Sequence, residues 1–227
     1  QSNGGLPDKA KVFFANTGKE EEATLQFVRA CGQIWDVPIT WLEYDNTITR
    51  KYRIVTFETA SRNGEPFESV IAQRGRNLPN PIARYCSSEL KTRTMHRHLR
   101  WIGVDEWDTL IGIRADEPRR VAKFRANQHP ESKDETVFMP LADIGVSSKD
   151  VGDFWKSHSF DLELPNRNGK TMHGNCDLCF LKPAAQIQSL IAEKPERATW
   201  WARQEEKALS EGIGWSGSRF RIDRPSY

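Results

Sequence analysis

The chain has 227 residues, 37% of them hydrophobic and 28% charged, with a formal net charge of +2. This length suits one sizeable core with a small appended subdomain, and the composition excludes a disordered or collagen-like chain. The apolar runs, such as Val12-Phe13-Phe14-Ala15, stop far short of the roughly 20 residues that cross a bilayer, so no membrane span is expected.

A near-neutral charge gives no global pull toward nucleic acid or anionic lipid, so any anion site must be local. No basic start followed by the apolar stretch of a secretory signal opens the sequence, and a cytoplasmic setting is expected. In that setting the four cysteines read as metal ligands, reactive thiols or core residues rather than disulfides.

In chain order, residues 11–16 form a short apolar run that ends in the polar Asn16-Thr17-Gly18, which predicts a buried strand entering a turn. A helix follows, with Glu20, Glu21 and Glu22 in its first turn and Leu25, Phe27, Val28, Cys31 and Ile34 at helical spacing. The alternating stretch 39–44 predicts a second strand, and strand, helix, strand begins a parallel sheet. A third extended segment is expected over 51–57 and a short helix over 67–73. Leu78-Pro79-Asn80-Pro81 then breaks the chain before a helix over 89–102, capped by Ser87 or Ser88. On that helix Leu90, Met95, Leu99 and Ile102 face inward, while His96 and His98 read as surface or phosphate-contacting groups.

Residues 108–113 predict a strand that delivers Arg114, Asp116, Glu117, Arg119 and Arg120 in quick succession. Residues 125–134 are polar and lack periodicity, which predicts a loop. A helix from Ser148 to Ser157, a turn-rich stretch over 165–174, two amphipathic helices over 184–193 and 195–210, and a basic irregular tail over 216–227 complete the chain. The expected organisation is an α/β core over 1–135, a parallel sheet with helices on both faces, followed by a small helical, cysteine-containing subdomain over 136–227.

In an open parallel sheet the ligand crevice lies beyond the carboxyl ends of the strands, where Asn16-Thr17-Gly18, Cys86 to Lys91 and Arg114 to Arg120 all fall. The arginines offer forked donors suited to phosphate or sulfate; the bland alternative is that they pair with their neighbouring acids. Cys176-x-x-Cys179 has the spacing of a metal knuckle, Cys86 at a helix start is the natural third ligand, and His173 is the in-chain candidate for a fourth. Three thiolates with one open iron suit a 4Fe-4S cluster, and three cysteines with His173 equally suit zinc. A metal-free redox dithiol and simple packed thiols remain as alternatives. No Gly-x-Ser-x-Gly elbow, His-Glu-x-x-His or Walker loop occurs.

Three segments then carry a resemblance: Phe13-Phe14-Ala15-Asn16-Thr17-Gly18-Lys19-Glu20, Arg84-Tyr85-Cys86-Ser87-Ser88-Glu89-Leu90-Lys91, and Ile111-Gly112-Ile113-Arg114-Ala115-Asp116-Glu117-x-Arg119. In this order they resemble the phosphoadenosine phosphosulfate (PAPS) reductase family, in particular its phage and prophage members, and Gly174 to Lys182 is similar to the cysteine pair of its iron-sulfur relatives. The resemblance implies an adenine-nucleotide alpha-hydrolase type of fold that binds ATP or PAPS. Asn16, Thr17 and Gly18 would then lie near the adenosine, Arg114, Arg119 and Arg120 at phosphate or sulfate, and Lys91 at the place of the basic residue after the family's cysteine.

Two departures stand beside it. No Ser-Gly-Gly phosphate loop precedes Lys11, and no Glu-Cys-Gly-x-His nucleophile occurs near Tyr227. The expectation is therefore an enzyme of sulfur transfer or redox chemistry with a cysteine-ligated iron-sulfur cluster, its sulfur donor or acceptor and a homodimeric state left open. The alternative is a non-catalytic phage accessory protein that binds nucleotide or a partner and carries structural zinc. A weaker reading has Arg219, Arg221 and Arg224 contacting a nucleic-acid backbone.

Overall fold

The computed structural model describes residues 5–126, 133–167, 170–174 and 176–227. They form a mixed α/β protein whose elements run β1 (Val12–Asn16), α1 (Glu22–Ile34), β2 (Ile39–Tyr44), β3 (Tyr52–Val55), α2 (Glu65–Gln73), α3 (Tyr85–Ser87), a π-turn (Ser88–Thr92) and α4 (Arg93–Trp101). There follow β4 (Trp107–Leu110), α5 (Pro118–Ala126), β5 (Glu135–Phe138), α6 (Pro140–Asp143), α7 (Ser148–Lys156), β6 (Asn166–Arg167), β7 (Lys170–Thr171), α8 (Ala184–Glu193) and α9 (Arg197–Ser210). Two compact units result, one of Gln1–His98, Leu162–Pro165 and Thr171–Tyr227, the other of Leu99–Asp161 and Asn166–Lys170.

In the first unit β1 pairs with β2 in parallel and β2 with β3 antiparallel, so the expected strand, helix, strand unit is present. Beside the sheet, Leu25 of α1 is buried with Trp41, Val55 and Ala60. A larger cluster joins Tyr44, Phe67, Ile71, Leu90, Leu178 and Trp201 among others, so the segment after residue 176 packs into the same core as α2. Each such side chain, taken fully out of water, contributes roughly 1.5–3 kcal/mol.

Gly64 starts α2 in the left-handed region (φ 83°), and an added Cβ there would stand 2.6 Å from the Trp200 ring. Gly18 (φ 76°) lies against it, its carbonyl accepting from the Gly64 amide at 2.9 Å. Glycine is needed at both positions because the turn after β1 touches the start of α2.

The helix expected over 89–102 begins earlier and is interrupted. Its first turns are wound as α3 and the π-turn, and neither Ser87 nor Ser88 caps it with a side-chain bond; Ser88 Oγ instead donates to the Tyr85 carbonyl at 3.1 Å. The hydroxyl of Thr94 donates to the Glu89 carbonyl at 2.8 Å, within the segment that the π-turn widens. His96 and His98, expected at the surface, are both buried. His98 lies edge-on to Phe13 and Tyr52 with Nδ1 3.2 Å from the Tyr52 hydroxyl.

In the second unit β4 and β5 pair in parallel. The capping box of α7 is set by Ser147, one residue ahead of the expected start, whose hydroxyl and amide both engage Asp150. The loop expected over 125–134 overlaps the end of α5, and its residues 127–132 lie outside the described residues. No described helix is long and apolar enough to cross a membrane.

Candidate cysteine-lined site

A cavity of about 460 Å³ in the first unit is lined by Thr17, Cys86, Lys91, Cys176, Cys179 and Lys182 together with apolar walls that include Phe67, Leu90 and Trp201. Four segments deliver these residues. The turn after β1 supplies Thr17, α3 supplies Cys86, and the π-turn supplies Lys91; π-turns inside helices frequently occur at functional sites. The loop 176–182 supplies the cysteine pair. This loop rests against the Thr17 turn through a bridge between Glu20 and Cys176, and the Asp177 amide donates to the Lys19 carbonyl at 2.7 Å.

The site's polar contacts form one chain. The Thr17 hydroxyl donates to the Glu20 carboxylate at 2.8 Å and lies 3.5 Å from Cys176 Sγ. Lys91 Nζ stands 4.0 Å from the same carboxylate. Lys19, itself buried, pairs with Asp177 at 3.1 Å, and the Trp201 indole donates to Asp177 at 2.9 Å. Burial raises the Asp177 carboxyl, opposed by Lys19 and the Trp201 bond.

Burial also pushes the Cys86 thiol up to about 11, with Cys179 adding to the rise, and the Cys176 thiol up to about 12, with Glu20 adding. Both are therefore neutral at physiological pH and are weak nucleophiles by themselves. For Lys91, burial acts to lower the pKa, but Cys176, Glu20, Cys179 and Cys86 outweigh it and the value ends raised. A cation thus sits where a thiolate would need one.

Of the residues singled out in the sequence, Thr17, Cys86, Lys91, Cys176 and Cys179 meet at this cavity. Asn16 is fully buried beneath it, its side chain donating to Glu43 at 2.7 Å and to the Ser61 carbonyl at 2.8 Å. Gly18 shapes the turn. His173 does not line the cavity; its Nε2 lies 3.3 Å from Glu193 and its Nδ1 4.0 Å from Glu21. Among the described residues no three His, Cys, Asp or Glu side chains are placed to hold a single metal ion.

Arg114, Arg119 and Arg120 belong to the second unit. There Arg114 Nε pairs with Asp116 at 2.9 Å and Arg120 with Glu117 at 2.5 Å, while Asp116 also accepts from the Ser148 amide at 2.9 Å. Arg119 is exposed and makes no ion pair among the described residues.

Sequence reasoning gave no role to Lys182, whose position three residues after Cys179 was the available signal. It read the tail only as basic and irregular, with Arg219 among candidate backbone contacts to nucleic acid; in the fold Arg219 pairs with Glu205 at 3.1 Å and Phe220 is buried in the main core.

Fold and site together define a mixed α/β protein with a cysteine-lined cavity beside its parallel strand pair. A stretch of 187 residues is 29% identical to the uncharacterized nin region protein ORF290 of Escherichia phage lambda, covering 77% of this chain and 57% of that protein. The chain thus spans little more than half the length of that relative. No protein-family model matches the chain, and no solved structure matches it.

Proposed function

We propose that the cysteine-lined cavity is a site of sulfur-transfer or redox chemistry in an enzyme of the PAPS-reductase type that binds an adenine nucleotide, ATP or PAPS. The observation that carries this reading is the meeting of Cys86, Cys176 and Cys179 with Lys91 in one cavity. Clustered thiols beside a cation are suited to sulfur chemistry. Parallel pairing of β1 with β2, joined through α1, supports the α/β fold that the resemblance implies.

Cys86, Cys176 and Cys179 would hold a 4Fe-4S cluster, with zinc as the alternative. A single zinc needs its sulfurs at about 2.3 Å from one centre, whereas a cluster spreads its cysteine ligands over several irons. Bound there, the cluster would supply electrons or an open iron for sulfur. Lys91 would balance negative charge at the thiolates, and the walls formed by Phe67, Leu90 and Trp201 would exclude water. Arg119, on the first turn of α5 and without an ion pair among the described residues, is the arginine most open to a phosphate or sulfate; Arg114 and Arg120 would first have to leave Asp116 and Glu117. That internal pairing is the observation favouring the second reading, a nucleotide- or partner-binding protein without catalysis.

The test is iron and sulfide analysis with a visible spectrum on the full chain purified without oxygen, beside Cys176→Ala, followed by binding and turnover of ATP and PAPS with Arg119→Ala. About four irons with matching sulfide, lost in the cysteine variant, is the expected result. About one zinc without iron would overturn the cluster, and failure to bind either nucleotide would overturn the enzyme class.

A further inference from the structure

The loop that carries Cys176 and Cys179 has little secondary structure to hold it. Its own backbone supplies only short turns, with the Cys179 amide donating to the Asp177 carbonyl and the Lys182 amide to the Cys179 carbonyl, each at 2.8 Å. Side chains take the carbonyls of Cys176, Asp177, Leu178, Phe180 and Lys182. Lys182 Nζ donates to the carbonyls of Gly174 at 2.7 Å, Cys176 at 2.6 Å and Asp177 at 2.9 Å. From the tail, Arg224 donates to Phe180 at 2.8 Å and Lys182 at 2.9 Å, Arg221 to Phe180 at 3.3 Å, and the Tyr227 hydroxyl to Leu178 at 2.6 Å.

Two aromatic contacts fix the tail that bears these donors. Phe220 stacks on Phe180 at 5.8 Å, and Tyr227 stacks on Trp201 at 5.3 Å. The Phe220 amide is itself anchored to buried Glu205 at 3.1 Å. Leu178 and Phe180 are buried, so their carbonyls depend on protein donors. Lys182 is buried and makes no ion pair among the described residues, so three carbonyls are its local partners.

We infer that residues 220–227 form a strap that sets the shape of the cysteine loop, and that Lys182, Arg224 and Tyr227 are positioning residues that keep Cys176 and Cys179 turned into the cavity. None of the three needs to touch a reacting atom for this role. Lys182 closes the loop from within, and the tail side chains clamp its outer carbonyls. The inference concerns the loop's geometry and holds whichever group the thiols carry, so it can fail independently of the sulfur-chemistry reading.

The experiment follows hydrogen exchange across residues 176–182, together with iodoacetamide labelling of each cysteine by peptide mass spectrometry, on the 227-residue chain. The variants are Tyr227→Phe, Arg224→Ala, Lys182→Met and Lys182→Arg, with Cys31 on α1 as the internal control. Exchange in the loop and labelling of Cys176 and Cys179 should rise about threefold in Tyr227→Phe, which loses the neutral bond to the Leu178 carbonyl and a long one, at 3.5 Å, accepted from Arg224. The rise should reach about tenfold or more in Arg224→Ala and Lys182→Met, which lose two and three charge-assisted bonds to backbone carbonyls, and Lys182→Arg should recover part of it.

Throughout, Cys31 labelling should stay at the wild-type rate. Loop exchange and labelling within about twofold of wild type in every variant would overturn the inference. So would a parallel rise at Cys31, which would make these residues contributors to overall stability alone. Tyr227→Phe removes a single oxygen and keeps the ring stack, so it remains informative where a larger change fails to fold. Absence of iron with these expected rates would remove the cluster and leave the strap standing.

Discussion

Replacing Glu43 by Gln should destabilise the first unit by about 3 kcal/mol. Glu43 is fully buried on β2. Its Oε1 accepts from Asn16 Nδ2 at 2.7 Å and from the Ser61 amide at 2.6 Å. Its Oε2 accepts from the Ser61 hydroxyl at 2.9 Å and from Arg53 Nε and Nη2 at 2.9 and 2.6 Å.

A glutamine must turn its NH₂ toward one of these two donor sets. Facing Arg53 is the less costly choice, because the Ser61 hydroxyl can reverse to accept and the Arg53 side chain is 42% exposed. The charge-assisted bonds to Arg53 are then lost. Removing one partner of a fully buried ion pair costs about 3–5 kcal/mol, and partial exposure of Arg53 places the effect at the lower end.

Urea titration read by hydrogen exchange in peptides covering 12–20 and 39–63 would assign the change to this unit. Arg53→Met alone should cost about half as much, and the double variant should cost no more than Glu43→Gln alone, because both remove the same pair. A loss below about 1 kcal/mol, or simple additivity of the two substitutions, would show that Glu43 does not organise the turn beneath the cavity.

Gly64→Ala should cost about 3 kcal/mol by urea unfolding, combining left-handed backbone strain with the 2.6 Å approach to Trp200; a cost under about 1 kcal/mol would mean that the indole moves aside freely. His98 gives a pH dependence of defined sign. Burial, and then Arg50, lower its pKa, so its folded form prefers to be neutral. Its stability contribution is whole above the unfolded value of about 6.5 and is lost as the pH falls from there through the lowered folded value. The melting temperature should therefore fall between pH 7.5 and 5 (about one unit above and 1.5 below the unfolded value) more steeply in the wild type than in His98→Phe, and identical slopes would refute this role.

The apolar runs and helical spacings made β1, α1, β2, α8 and α9 legible, because each carries its own local apolar pattern. The same was true of the thiols: Cys176-x-x-Cys179 marks itself by spacing, and Cys86 by its place at a helix start. His98 was not legible. Its burial depends on Phe13 and Tyr52, which approach it from the strands β1 and β3, and a histidine on a basic helix carries no mark of that environment. His173 looked like a ligand by proximity in sequence, but Glu193 and Glu21 face its ring in the folded chain.

Sequence alone determined which local elements form and which reactive side chains exist. The tertiary structure decided which of them meet: three thiols, Thr17 and Lys91 around one cavity, Arg114 and Arg120 paired with the neighbouring Asp116 and Glu117, and a tail whose side chains hold the cysteine loop. The physical reason lies in the groups that make these contacts. Helices and strands are set by side chains a few residues apart, whereas the strap acts on backbone carbonyls, which every residue carries alike and which therefore leave no pattern for distant partners to be read from.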